Sequence, residues 1–243
     1  MFTGFPEETE RYFLDLRFHN DAAFFHREHD RYLRDVQTPF YDFITDMMPT
    51  LSGIDAAMEP RPSRCLSRIR RDTRFSRDKT PYRDHLWTYF HRTAEERYGS
   101  VGFWFEYGVE RLSWGLTTWG ENRPLMDRFR RELAAKPSYY MGLISGCSLE
   151  SRHLDLWEDG FRRMKVPQNI PPALDRWYRA KSITLEQKVA DFSLVGDRRI
   201  FVKVRDDYLA LAPIYHMLRG MQDALLEEEE RRTAASRTDT WTK

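Results

Sequence analysis

The sequence predicts an α+β domain, in which N-terminal helices pack on an antiparallel sheet and further helices follow. Three observations carry this. Apolar residues recur every three or four positions through the first fifty residues and again after Pro124. Between them, the period drops to two. Strand and helix patterns do not alternate as βαβ units, so a parallel sheet is not indicated. At 243 residues the chain is one large domain or two small ones. With no internal repeat and no long flexible linker, one domain over residues 1–226 is expected. The polar stretch 227–243, which begins with four glutamates and lacks apolar periodicity, is expected to be a frayed, disordered tail.

Each element has a local reason. Pro6 followed by Glu7, Glu8 and Glu10 suits a first helical turn, where acids meet the positive end of the dipole. Tyr12, Phe13 and Leu16 supply its apolar face. His19-Asn20-Asp21 breaks the pattern, and Asn20 or Asp21 can cap a second helix carrying Phe24, Phe25, Tyr32 and Val36. Pro39 starts a third, with Phe40, Phe43, Ile44 and Met47 as its stripe and Pro49 and Gly53 closing it. Residues Cys65 to Arg70 alternate apolar and polar, which predicts a half-buried strand with Arg68 and Arg70 on one face and Ile69 on the other. Val101, Phe103, Phe105 and Tyr107, then Leu112, Trp114 and Leu116, flank Gly108-Val109-Glu110-Arg111 and predict a hairpin. Pro124 to Lys136 reads as helix, with Leu125, Phe129 and Leu133 four apart. A short helix over Tyr139 to Ile144, an ordered loop from Val166 to Pro172 and a strand within Ser182 to Val189 follow. Ile200 to Leu226 predicts one long helix, or two meeting at Pro213.

Composition limits the function classes. Thirty-nine Lys and Arg against 38 Asp and Glu leave a net charge of +1, so neither a basic field over the whole surface nor an acidic-tail protein is indicated. Aromatic residues at 14% argue for a packed core rather than disorder. No apolar run approaches the roughly 20 residues that cross a bilayer, so no membrane partner is expected. The first residues lack the basic and apolar regions of a signal peptide. Cys65 and Cys147 are the only cysteines. Together these point to a cytoplasmic protein with two small buried thiols.

Residues 61–85 stand apart. They hold nine basic and three acidic side chains, a local charge of +6 in a nearly neutral chain. Guanidinium groups bind phosphate or carboxylate through forked donors. Arg68, Arg70, Arg74, Ser76, Lys79 and Tyr82 are therefore the candidate ligand-binding residues, with Asp72 and Asp78 as candidate acid, base or positioning groups. The competing reading is an internal clamp in which Asp72 and Asp78 pair with neighbouring arginines.

The run from Arg68 to Arg83 resembles the signature of the domain of unknown function 2461 family, an Arg-Asp-x-Arg-Phe-Ser-x-Asp-Lys-x-Pro-Tyr-Lys pattern. Arg71, Asp72, Arg74, Phe75, Ser76, Asp78, Lys79, Pro81 and Tyr82 match it, and Arg83 replaces the final Lys. Asn20, Phe25, Tyr32 and Pro39 upstream, and Leu174 with Lys181-Ser182 downstream, extend the likeness over most of residues 1–220. Ser113-Trp114-Gly115-Leu116 stands where the family is richer in glycine. The resemblance implies a single α+β domain and no activity.

Other constellations are weaker. His26 and His29 lie one helical turn apart without a third ligand at fixed spacing, so no metal site is expected. No nucleotide-binding, hydrolase or metalloprotease motif is present, and no cofactor is implied. Trp87, Tyr89, Phe90, Trp104, Trp114 and Trp119 flank the basic run and read as core rather than as a stacking platform. The leading expectation is an anionic, phosphorylated small-molecule ligand. The alternatives are a nucleic-acid-associated module, disfavoured by the neutral total charge, and an interaction domain without catalysis.

Overall fold

The fold is that of a computed structural model describing residues 1–187 and 191–240. Helix α1 spans Glu7–Phe18 and buries Tyr12, Phe13 and Leu16. Asp21 caps α2 (Ala22–Arg27) by accepting from the Phe24 N–H at 2.8 Å. The continuous second helix expected from the Phe24–Val36 stripe is instead broken. A short α3 (His29–Tyr32) runs into a π turn at Leu33–Gln37, and α4 (Thr38–Ile54) continues directly from it. Four residues on from Asp35 stands Pro39, which has no N–H to donate, and the Asp35 carbonyl instead accepts the buried Thr9 hydroxyl of α1 at 2.5 Å. α4 passes through Pro49 and ends at Ile54. Its stripe Phe40, Phe43, Ile44 and Met47 is fully buried.

After the single-turn α5 (Pro62–Cys65), the chain enters a five-stranded antiparallel sheet: β1 (His85–Phe90), β2 (Val101–Gly108), β3 (Arg111–Thr118), β4 (Leu154–Leu156) and β5 (Thr184–Gln187). The order across the sheet is β1-β2-β3-β5-β4. The predicted hairpin is β2–β3, with Gly108 opposite Arg111. Period-two alternation gives the sheet two distinct faces. One face presents Phe90, Phe103, Phe105, Tyr107, Trp114 and Leu185 to the helices. Phe43 of α4 stacks on Phe105 at 4.5 Å, and Phe13 of α1 meets Tyr107 at 6.4 Å. The other face carries His85, Trp87, Tyr89, Trp104 and Glu106.

Asn122 caps α6 (Arg123–Ala135), and α7 (Pro137–Gly146) follows. α8 (Asp175–Arg179) precedes β5. α9 (Arg199–Thr240) is one helix through Pro213. Ile200, Val204, Tyr208, Leu211, Tyr215 and Leu218 form its buried stripe, and Tyr208 and Tyr215 pack on Phe103 at 4.8 and 5.2 Å. Beyond Leu226, where the sequence predicts a frayed tail, α9 stays helical to Thr240. Glu228 pairs with Arg128 at 2.8 Å, and Glu227 lies 3.7 Å from Arg231 one turn on. No described helix is long and apolar enough to cross a membrane.

The segment Cys65–Arg70 is not the strand that its alternation predicts. Its pairing is confined to isolated bridges, Leu66 with Thr88 and Arg70 with Tyr82. Between them, Ser67 takes the Trp87 N–H on its side-chain oxygen at 3.0 Å, which interrupts the backbone ladder.

Candidate functional site: an arginine groove beside the sheet edge

The basic segment runs along β1 as an irregular edge. The Ser67 N–H donates to the Trp87 carbonyl at 2.8 Å and the Arg83 N–H to the Ile69 carbonyl at 2.9 Å. The Arg71 N–H reaches the Pro81 carbonyl at 2.8 Å, closing an excursion whose tip is residues 72–80. Alternation survives without a ladder: Ile69 is buried, while Arg68 and Arg70 are exposed. The base of the excursion is fixed from the helical side. The Asn20 amide donates to the Tyr82 carbonyl at 3.0 Å and accepts the Tyr82 N–H at 2.9 Å. Phe25 stacks on the Tyr82 ring at 4.4 Å.

Between this edge and the start of the β1–β2 connection lies an open groove of about 930 Å³. Arg64, Arg68, Arg70, Arg83 and Arg97 line it, together with Trp87 and His91. Its lining also holds three carboxylates, Glu59, Asp72 and Glu95, and each is engaged by an arginine outside the lining. Arg61 binds Glu59 at 2.6 and 2.7 Å. Arg74 binds Asp72 through Nε and Nη2 at 2.9 and 2.6 Å. Arg219 binds Glu95 at 2.7 and 2.5 Å. Among the described residues, Arg64, Arg68 and Arg70 form no ion pair with any acid. The groove's carboxylates are thus bound from behind; of its arginines, Arg71 pairs with Asp78, whereas Arg64, Arg68 and Arg70 hold no direct ion pair among the described residues.

Arg83 is the most confined of these cations. Its Nη1 donates to the carbonyls of Arg68 and Arg70, both at 2.9 Å, and its guanidinium lies 4.7 Å from the Trp87 ring centre. Burial, and then the Arg71 charge, lowers its pKa. His91 is buried on the groove wall, with Nδ1 2.9 Å from the Arg92 carbonyl. A carbonyl only accepts, so Nδ1 carries the proton and Nε2 is a free lone pair. Burial lowers the His91 pKa from its usual 6.5, which favours the neutral ring at pH 7.

The predicted site residues divide. Arg68 and Arg70 line the groove, and Asp72 stands at its rim. Tyr82 is buried under Phe25 and lines a neighbouring pocket of about 490 Å³ with Arg68, Arg70 and His26. Arg74, Ser76, Asp78 and Lys79 occupy the excursion outside the groove. There Asp78 pairs with Arg71 and accepts the Thr80 N–H at 2.9 Å, and Lys79 donates to the Thr73 carbonyl at 2.8 Å. The Ser76 N–H donates to that same carbonyl at 3.3 Å. Hydrogen bonds from Arg74 and Arg71 bring the carboxyls of Asp72 and Asp78 down to about 2. Phe75 at the tip is 96% exposed. His26 and His29 pack about Phe25. No three described His, Cys, Asp or Glu side chains converge to hold a metal. The sequence pattern reads Trp87 as core, whereas it lines the groove; it does not assign His91 or Arg97 to the site, and it counts Arg64 only as charge. Nothing in the sequence brings residues 91 and 97 back to residues 64–70.

A sequence profile described as a conserved hypothetical protein, DUF2461, matches residues 8–217. The chain belongs to the DUF2461 family. No curated protein and no solved structure matches it. In this DUF2461 member the signature run is the excursion Arg71–Tyr82, and the matched region takes in every described strand and the first part of α9.

Proposed function

We propose that this protein binds a phosphorylated small molecule in the arginine groove. The observation that carries the reading is the charge arrangement: Arg64, Arg68 and Arg70 face the groove unpaired, while Glu59, Asp72 and Glu95 are each engaged from outside. Forked guanidinium donors match phosphate oxygens bidentately. The Arg83–Trp87 pair supplies a flat cationic platform beside them, and His91 Nε2 supplies an acceptor for a ligand hydroxyl. A reaction on the bound ligand would draw its base from His91, because Arg74 occupies Asp72 and holds its carboxyl near 2. The concave shape and the net charge of +1 favour a small ligand over a nucleic acid. Two free thiols, Cys65 and Cys147, support a reducing, cytoplasmic site of action.

Thermal unfolding of wild type with inorganic phosphate, pyrophosphate, sugar phosphates, nucleotides and short oligonucleotides tests this. A ligand at a hundred times its Kd stabilises the native state by about 2.7 kcal/mol, which raises Tm by roughly 5–10 °C for a chain of this size. One small phosphorylated compound is expected to do so. The shift should vanish in Arg68→Ala/Arg70→Ala and persist in Lys79→Ala. A shift by oligonucleotides alone, lost as salt rises, would replace the reading with nucleic-acid association. A small-molecule shift untouched by the double variant would remove the groove from it.

A further inference from the structure

The outer face of the sheet carries a second concavity, of about 540 Å³, which shares Trp87 alone with the arginine groove. Strand register places its parts. Across the sheet, Tyr89, Trp104, Gly115, Glu186 and Asp155 form one row. Thr117 and Thr184 lie on one side of that row, their hydroxyls bonded to each other at 2.8 Å. Trp87, Glu106 and Ser113 lie on the other. Gly115, between Trp104 and Glu186, leaves the centre of the face without a side chain. The β3–β5 approach there is so close that a Cβ would stand 1.8 Å from the Leu185 carbonyl oxygen, so no larger residue can fill the floor.

Indole rings wall this floor. Trp87 and Trp119 lie 6.5 Å apart with near-parallel planes. Trp157, 44% exposed, is held by its Nε1 donating to Glu186 Oε2 at 2.7 Å. Trp104 is only 8% exposed, and its Nε1 has no hydrogen-bond partner among the described residues; the same is true of Trp87 Nε1. Glu106 is engaged by Arg111 at 3.3 Å and faces His85 Nε2 at 3.5 Å. Glu186 forms no ion pair with any described residue and keeps further acceptor positions beyond the Trp157 bond.

We infer that this face is a binding site for a neutral saccharide, stacked on the indoles and hydrogen-bonded to Glu186. Two charges in the lining select the class: Arg111 opposes a bound cation and Glu186 a bound anion, so a neutral ligand is favoured. The Glu186 carboxylate still needs a donor. A sugar hydroxyl both donates and accepts, and the C–H face of a pyranose ring is the apolar surface that flat indoles cover.

Intrinsic tryptophan fluorescence tests the site, titrated with methyl glycosides of glucose, galactose, mannose and N-acetylglucosamine and with their β-1,4 and α-1,4 disaccharides. Concentrations should reach about 10 mM, enough to saturate sites with Kd near 1 mM. At least one sugar is expected to change the emission saturably. Trp157→Ala, at an exposed position that the fold does not need, should weaken that sugar at least tenfold with its Tm unchanged. Glu186→Gln, which keeps the shape, should weaken it about tenfold through loss of a charged acceptor. Arg68→Ala/Arg70→Ala should bind the same sugar as wild type does, which separates this site from the groove. No saturable change with any sugar, or wild-type affinity in Trp157→Ala, would overturn the inference.

Discussion

Asp207 is buried completely on α9, and three donors meet its carboxylate: Trp114 Nε1 at 2.9 Å, Arg152 Nη1 at 3.0 Å and Lys203 Nζ at 2.5 Å. Removing one partner of a buried charge leaves the others uncompensated. Asp207→Ala is therefore expected to cost about 3–5 kcal/mol, read as a lowered midpoint in urea; a loss within 1 kcal/mol would mean that the three donors find water instead. Asp72 and Asp78 are the opposite case. They are exposed, and their arginine bonds hold both carboxyls near 2. The bonds therefore persist as pH falls past the ordinary carboxylate value of 3.8 and are lost only as pH approaches 2. Carboxyl NMR titration should find both midpoints well below 3.8. At this scale the sequence was informative where burial alternates: Ile69 inward, with Arg68 and Arg70 outward, was readable from residue type alone. It read Trp87 as core and did not place His91 or Arg97 in the site, because only the closure of β1 on the Leu66–Arg70 edge brings them into the groove.

The excursion Arg71–Tyr82 depends on an anchor in another element. Asn20, at the break between α1 and α2, satisfies both backbone groups of Tyr82. Asn20→Ala should leave that donor and acceptor unpaired and cost about 1–3 kcal/mol. Amide exchange at residues 70–82 should speed up more than in α4 or β2. Uniform protection across the chain would show that the excursion is held by its own ion pairs. The hairpin, α6 and α9 were legible because their periodicity matches how their neighbours bury them. Cys65–Arg70 failed as a strand because Ser67 diverts a ladder bond to its side chain. The Phe24–Val36 helix failed because the helix breaks at Glu28, between α2 and α3, and then widens into the π turn at Leu33–Gln37, neither of which its apolar spacing registers. β1 sits at the end of the basic run, whose charge masks its alternation, and three-residue β4 is too short to leave a pattern.

Across the molecule, arginine–carboxylate pairs join segments remote in sequence. Arg198 meets Asp46, Arg92 meets Asp55, and Arg17 meets Asp84. For Asp46, Asp55 and Asp84 burial opposes ionisation, but hydrogen bonds and the partner charges prevail and hold each pKa below 3.8. A depressed folded pKa gives stability that is present above the unfolded value and lost as pH falls through the folded one. His91, also lowered by burial, adds a loss that begins below 6.5. Tm is therefore expected to decline gently from about pH 6.5 and steeply below about pH 4; a Tm constant down to pH 3 would refute this distribution. The single α+β domain was legible as a whole, because it follows from periodicity and length. The division of the basic run into a groove wall and an outer excursion was not, because it depends on which acids each arginine reaches after folding.

The central claim, that the unpaired arginines rather than the excursion receive the anion, is tested most directly by amide and guanidinium NMR shifts during a titration with inorganic pyrophosphate. Saturable shifts are expected to centre on Arg64, Arg68, Arg70 and Arg83, with Trp87 and His91 following and the Arg74–Lys79 signals nearly still. Shifts centred on Arg74, Ser76 and Lys79, or no saturable shift at any arginine, would contradict it.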